Sequence, residues 1–264
     1  MLICQISDLH VKSRGELSYR VVDTGAFLQR CIEQILASDP QPDIVIATGD
    51  LTDSGSAGEY ATLRDMLAQL PMRVYLIPGN HDHRENLVAA FPGHSYLTQT
   101  PPFIQYAIED YPMRILALDT VIPGKASGEL CAQRLDWLTQ RLEQAPDRPT
   151  IVIMHHPPFR TFIEHMDRIG LANAAALKTI VERHPQIERI LCGHLHRAIQ
   201  VRWAGTLAST SPSPAHQVEL NLRGGTRAQF VMEPPGYQLH MWHPEAGLVS
   251  HTAVIGEFDG PYSF

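Results

Sequence analysis

The chain has 264 residues, 44% of them hydrophobic, and a formal charge of −7. That length can bury a substantial core, as one large domain or one domain with an appendage. The acidic balance argues against a long nucleic acid as the main partner, because such partners select basic surfaces.

The first expected strand is Leu2–Ser7, followed by a polar loop, Val11–Val22, in which Lys12, Arg14 and Tyr19 could touch a substrate. Apolar residues at helical spacing predict a helix over Asp23–Ser38, ended by Pro40 and Pro42. A strand, Asp43–Thr48, precedes a helix over 57–70, and Pro71 separates that helix from the strand Arg73–Pro78. Asp82 is expected to cap a short helix, Glu85–Phe91, or to orient His81, while His83 is expected at the surface. Strands over Phe103–Glu109 and Arg114–Asp119 begin a second sheet, with Asp119 read as structural. A loop containing Ser127-Gly128-Glu129 and a helix over Leu130–Glu143 come next. Then follow the strand Thr150–Met154, a lid-like loop over Phe159–Gly170, a helix over Leu171–His184 and the strand Ile187–Cys192. From Ala198 the pattern becomes short alternating strands separated by Pro and Gly turns. His165 and His184 read as surface residues, and His240, His243 and His251 as surface or interface residues.

Five strands end on chemistry: Asp8-Leu9-His10, Gly49-Asp50, Gly79-Asn80-His81, His155-His156 and Gly193-His194-Leu195-His196. Their Val-, Ile- and Leu-rich blocks suit strands buried on both faces, and open α/β sheets place ligand sites beyond the carboxyl ends of their strands. In Asp8-x-His10 and His194-x-His196, residues two apart in an extended chain project the same way. Carboxylate, amide and imidazole donors without thiolate suit Zn, Mn, Fe or Co. Two such ions would clamp the attacking and leaving oxygens of a displacement at phosphorus. His155 and His156 point opposite ways along an extended backbone, and the residues alone leave open which of them serves as a ligand.

In this order, D-x-H, G-D, G-N-H-D, H-H-P-P and G-H-x-H resemble the calcineurin-like metallophosphoesterase superfamily. The resemblance is greatest to its bacterial glycerophosphodiesterase and class III cyclic nucleotide phosphodiesterase branch. It includes Ser13-Arg14-Gly15-Glu16, Tyr75-Leu76-Ile77-Pro78 and Ala215-His216-Gln217-Val218, and it is expected to fade beyond about residue 220. It implies an α/β fold, a two-sheet β-sandwich flanked by helices, with a small β-rich C-terminal extension. The expected division is a dimetal catalytic core over 1–197 and a C-terminal part over 198–264 that completes the second sheet and makes dimer or cap contacts.

The resemblance also implies a ligand set. Metal 1 takes Asp8, His10, Asp50 and His196, and metal 2 takes Asp50, Asn80, His155 and His194, with Asp50 bridging. Asn80 and His81 steady the phosphate, and His81 or His216 protonates or positions the leaving alkoxide. The expected activity is hydrolysis of small phosphodiesters, foremost glycerophosphodiesters, by a metal-bound hydroxide, with 3′,5′-cyclic nucleotides as the alternative substrate. Outside enzymes, the alternative is a metal-binding regulatory protein without turnover, and a third reading gives the histidines a metal-free core role. A homo-oligomer, a dimer or a multiple of dimers, is expected. The cysteines Cys4, Cys31, Cys131 and Cys192 lack C-x-x-C spacing. With no membrane-length apolar run and no signal peptide in view, they read as free thiols of a cytoplasmic protein.

Overall fold

A computed structural model describes residues 1–263. Strand β1 (Leu2–Ile6), helix α1 (Thr24–Leu36), strand β2 (Ile44–Thr48), helix α2 (Ala57–Leu67) and strand β3 (Arg73–Ile77) form two successive strand–helix–strand units of one parallel sheet. Both helices begin on polar side chains. Asp23 accepts from Ala26 N, and Ser56 and Glu59 form a reciprocal capping box at α2. The short helix α3 (Arg84–Ala90) follows β3.

The second sheet starts with β4 (Tyr106–Ile108) and β5 (Arg114–Leu118). Helix α4 (Ala132–Glu143), β6 (Thr150–Met154), the single-turn α5 (Glu164–Asp167), α6 (Ala174–Val181) and β7 (Ile187–Cys192) come next. Strands β8 (Ile199–Trp203) and β9 (Thr206–Thr210) complete the order β4-β5-β6-β7-β9-β8. A two-residue ladder joins β10 (Gln217–Val218) to β11 (Phe230–Val231). The last strands, β12 (Gly236–His243) and β13 (Gly247–Val254), lie antiparallel beside β1, giving the first sheet the order β13-β12-β1-β2-β3. The C-terminal part therefore feeds both sheets and does not only complete the second. Its longest hairpin covers the edge of β1 that β2 leaves open, where strand backbone needs a partner.

The two sheets share one core. Ile3, Ile46 and Tyr237 of the first pack into the same cluster as Ile115, Ile153 and Leu191 of the second. Helix α4 and helix α6 pack on the outer face of the second sheet through Leu138, Leu142, Leu177 and Val181. At the opposite margin, β3 has no neighbouring strand among the described residues, and tyrosine hydroxyls stand in for one. Tyr96 Oη accepts from Leu76 N and donates to Val74 O, both at 3.1 Å, and Tyr106 Oη donates to Leu76 O at 2.8 Å. Cys4, Cys31 and Cys192 are buried and, with Cys131, unpaired. No helix of the described residues is long and apolar enough to cross a membrane.

Candidate metal centre

The parallel strands β1, β2, β3, β6 and β7 all run toward one rim, so their ends bring Asp8, His10, Asp50, Asn80, His81, His155, His194 and His196 together. Tight turns make this possible. Asp8, His10, Asp50, His194 and His196 all have positive φ, between 44° and 72°, a region that costs an L-residue about 1–3 kcal/mol. Glycine is needed where two loops touch: a Cβ on Gly79 would fall on the Asp50 amide and carboxylate, and one on Gly193 on Ser7 Oγ.

The rings are oriented by backbone. His155 Nδ1 donates to Thr48 O at 2.9 Å, which turns Nε2 toward Asp50 Oδ1 (3.4 Å) and Asn80 Oδ1 (3.1 Å). His196 Nδ1 donates to His216 O at 3.0 Å, and its Nε2 faces His10 Nε2 at 3.2 Å. Asp8 Oδ1 accepts from His194 N and Asp50 Oδ1 from His81 N, both at 2.9 Å. His81 Nδ1 donates to Asp53 O at 2.7 Å. The neighbour of His155 is engaged elsewhere: His156 uses Nδ1 on Thr120 Oγ1 (2.8 Å) and Nε2 on Ala126 O (3.1 Å).

Electrostatics separate these groups. Burial, with Asp50 adding to it, pushes Asp8 up to about 6. Burial also works against Asp50, yet His155, His81 and His10 hold it well below the ordinary carboxylate value. His155 shows the reciprocal effect and reaches about 9 despite its burial, because Asp50 and Asp8 face it. Burial and neighbouring imidazoles push His156 and His196 down to about 3 and His216 to about 2, and His194 well down too. Among the described residues, Asp8 Oδ2 and His194 Nε2 are buried with no hydrogen-bond partner. Orphaned carboxylate and imidazole donors are costly unless something binds them. Asp8, His10 and Asp50 offer ligand atoms close enough to share an ion, and so do His155, His156 and His194. The oxygen and nitrogen donor set fits two divalent cations.

A cleft of about 420 Å³ opens over this floor, lined also by Tyr19, Ala126, His165, Met166, Ile169, His216, Val218 and Phe230. Tyr19 stacks on Phe230 (centroids 4.9 Å apart), and both meet the edge of His216. Three expectations change here. His165 lines the cleft instead of lying on an indifferent surface, because the one-turn α5 folds the lid segment over the site. Arg14 pairs with Asp65 at 3.3 Å on the surface, since Lys12 is drawn to Glu59 and Asp53 and carries that segment toward α2. Asp82 neither caps α3 nor touches the His81 ring: it accepts from Leu51 N, Gly79 N and Tyr60 Oη and so ties the β2 and β3 loops together. Phe230 and Asp53 were missed. Phe230 has no motif around it, whereas Asp53, three residues after Asp50, had a spacing that could have flagged it.

The sequence pattern of calcineurin-like phosphoesterases matches residues 1–198. The chain belongs to the calcineurin-like phosphoesterase family. A relative from Arcobacter nitrofigilis, named as a probable glycerophosphodiester phosphodiesterase GpdQ, is 42% identical over 100% of this chain and 97% of its own. That alignment runs past residue 220 to the end of the chain, so the C-terminal strands have counterparts in this relative, whereas the family pattern itself ends at residue 198. The 3′,5′-cyclic adenosine monophosphate phosphodiesterase CpdA of Vibrio vulnificus is 31% identical over 81% of this chain and 77% of its own. Among solved structures, a dimetal phosphatase from Danio rerio superposes with a TM-score of 0.65 at 15% identity, covering 97% of this chain and 99% of that one. The last likeness is one of fold: a calcineurin-like phosphoesterase sandwich with helices on its outer faces.

Proposed function

We propose that this calcineurin-like phosphoesterase hydrolyses small phosphodiesters, foremost glycerophosphodiesters, at a dinuclear centre. In this reading Asp8, His10, Asp50 and His196 hold one divalent cation. Asp50, Asn80, His155 and His194 hold the other, with Asp50 shared. His156 is left out of this set in favour of His155 because both its ring nitrogens have protein partners, Thr120 and Ala126. Fe, Mn, Zn and Co all suit the donors. Two such cations supply Lewis-acid charge to an in-line displacement at phosphorus.

The protein's own groups do the rest. In this reading Asn80 and His81 steady the phosphoryl oxygens, and the Asp53 carbonyl holds the His81 ring. His81, in this reading, protonates the leaving alkoxide. His216 is held as a neutral imidazole by burial and by His196 and His10, which suits positioning. The observation that carries the diester assignment is the lining of the cleft, which among the described residues includes neither Lys nor Arg. A monoester dianion would bring a second charge with no side-chain cation to meet it. A diester brings one charge and a second arm, for which Met166, Ile169, Val218 and Phe230 form a wall.

Glycerophosphodiesters are favoured by the full-length similarity to GpdQ. A second reading, 3′,5′-cyclic nucleotides, is supported by the stacked Tyr19–Phe230 pair, a flat surface that suits a base, and by the CpdA likeness. The complete donor set opposes a regulatory protein without turnover. We also propose a homo-oligomer. Exposed Leu17, Val21, Phe162, Leu220, Leu222 and Met232 are near neighbours in sequence of the cleft-lining Tyr19, His165, Val218 and Phe230, and a second copy would cover them. Four free thiols support a cytoplasmic setting.

The deciding experiment is a substrate panel on Mn²⁺-loaded enzyme, with glycerophosphodiesters, cyclic nucleotides and monoesters compared by kcat/KM. Diesters should lead, with glycerophosphodiesters first. A monoester preference would overturn the diesterase assignment.

A further inference from the structure

Asp53 has no place in either proposed donor set, yet it touches both His10 and His81. Its Oδ1 accepts from Ser18 Oγ at 2.9 Å and stands 3.5 Å from His10 Nδ1, and its Oδ2 stands 3.3 Å from Lys12 Nζ. Its backbone carbonyl receives the His81 Nδ1 proton. The residue has little freedom to move away. Asp53 N donates to Val11 O, Thr52 is bridged to Val11, and Asp82 accepts from Thr52 N.

The two nitrogens of His10 face opposite ways. Nε2 looks into the donor cluster, 3.2 Å from His196 Nε2 and 3.7 Å from Asp50 Oδ2. Nδ1 is buried and lacks a hydrogen-bond partner within normal distance, with the Asp53 carboxylate facing it. A lone pair on Nε2 requires the proton on Nδ1. A carboxylate there selects that tautomer, sets the ring angle and makes Nε2 a stronger donor. Lys12, shared between Asp53 and the buried Glu59, keeps a counter-charge beside the pair.

We propose that Asp53 is the positioning residue of His10. It fixes the Nδ1–H tautomer and so tunes the cation held by Asp8, His10, Asp50 and His196, while leaving the cation held by Asn80, His155 and His194 untouched. The inference rests on the dinuclear reading given above. The competing account is that Asp53 only anchors Ser18 and Lys12, in which case removing those partners should have the same effect as removing Asp53.

Titration of the metal-free protein with Mn²⁺, followed calorimetrically, separates the two accounts in wild type, Asp53→Asn, Ser18→Ala and Lys12→Met. Asp53→Asn should weaken one of two binding steps by about 10–100-fold and leave the other unchanged. In the metal-free variant, ¹⁵N imidazole spectra should show His10 shifting from a single Nδ1–H tautomer toward a mixture. Ser18→Ala and Lys12→Met should keep both steps and the tautomer.

Four results would overturn the inference: wild-type binding in Asp53→Asn, equal weakening of both steps, the same loss in Ser18→Ala and Lys12→Met, or complete loss of one equivalent, which would make Asp53 itself a ligand. If wild type bound no Mn²⁺, the dinuclear reading itself would fail. A wild type with two steps and an unchanged Asp53→Asn would sink only the role of Asp53.

Discussion

The floor and the roof of the cleft are built on different terms. Every donor of the floor sits at the end of a strand whose ladder fixes its position, and the supporting hydrogen bonds run mostly to backbone. The roof consists of the Ser18–Val22 turn, the single turn of α5 and a hairpin paired over two residues, tied to α5 where Glu164 accepts from Gly225 N. Chemistry at phosphorus needs donors held within a fraction of an ångström, so it is mounted on rigid elements. Recognition of the second ester arm tolerates adjustment, and loops carry it.

The contrast is broken most severely at the floor. Asp50→Ala should lose both cations and abolish turnover. Gly79→Ala should come close to this without altering a donor, because its new Cβ would fall on the Asp50 amide and carboxylate. Metal analysis with initial rates checks both variants, and an active Gly79→Ala enzyme would show a more forgiving floor than the geometry describes.

A smaller effect sharpens the line between donor and support within one strand end. His155→Ala should lose a cation and activity together. His156→Ala should keep both cations and lose about 10–100-fold in activity, because Thr120 and Ala126 would no longer be held against it. Reversed outcomes would exchange the two roles.

The roof should respond differently again. Phe230→Ala and His165→Ala should raise KM for diesters by about 5-fold, the size of one lost contact of about 1 kcal/mol, with metal content unchanged. A fall in metal content would mean that roof and floor are not separable.

A last effect lies beneath the floor, at His240, and touches stability and not turnover. This ring is fully buried between Gln5 Oε1 (3.0 Å) and Ser250 Oγ (2.6 Å), and burial pushes it down to about 3, with Arg189 adding to the effect. The unfolded chain takes up this proton near pH 6.5, and the folded chain does so only near pH 3. The contribution of the neutral ring is therefore complete above pH 6.5 and drains away as pH falls toward 3. Between pH 6.5 and 5, wild type should lose about 2 kcal/mol more stability than His240→Gln, measured by urea unfolding of metal-free protein. Parallel pH profiles would remove His240 from the account of acid sensitivity.

Strand ends were legible because apolar blocks and motif residues mark them together: β6 and β7 match their expected bounds, and β1, β2 and β3 each differ from theirs by one residue at one end. Helices were legible from their apolar spacing, although α6 is shorter than expected, since 171–173 are used to hold the Gly128 and Leu130 backbone. What escaped depends on contacts between distant segments. His240 alternates with apolar residues as an outward-facing position would, but β12 is covered on that side by the other sheet, so the ring is inside and not at the surface or interface expected. His165 and Phe230 belong to the cleft only because α5 and the short hairpin fold over it. The partners of Asp82 lie on three separate elements, which no local pattern announces.

The left-handed backbone at Asp8, His10, Asp50, His194 and His196 also bears on how this protein can be engineered. At each of these positions glycine would relieve strain, and at Asp8 it would also remove a carboxylate that burial disfavours. A screen that rewards only thermal resistance, run on metal-free protein, should therefore enrich glycine at the residues on which hydrolysis depends. Selection for durability and selection for turnover pull in opposite directions at the same five codons, so a robust working variant has to be sought elsewhere in the chain.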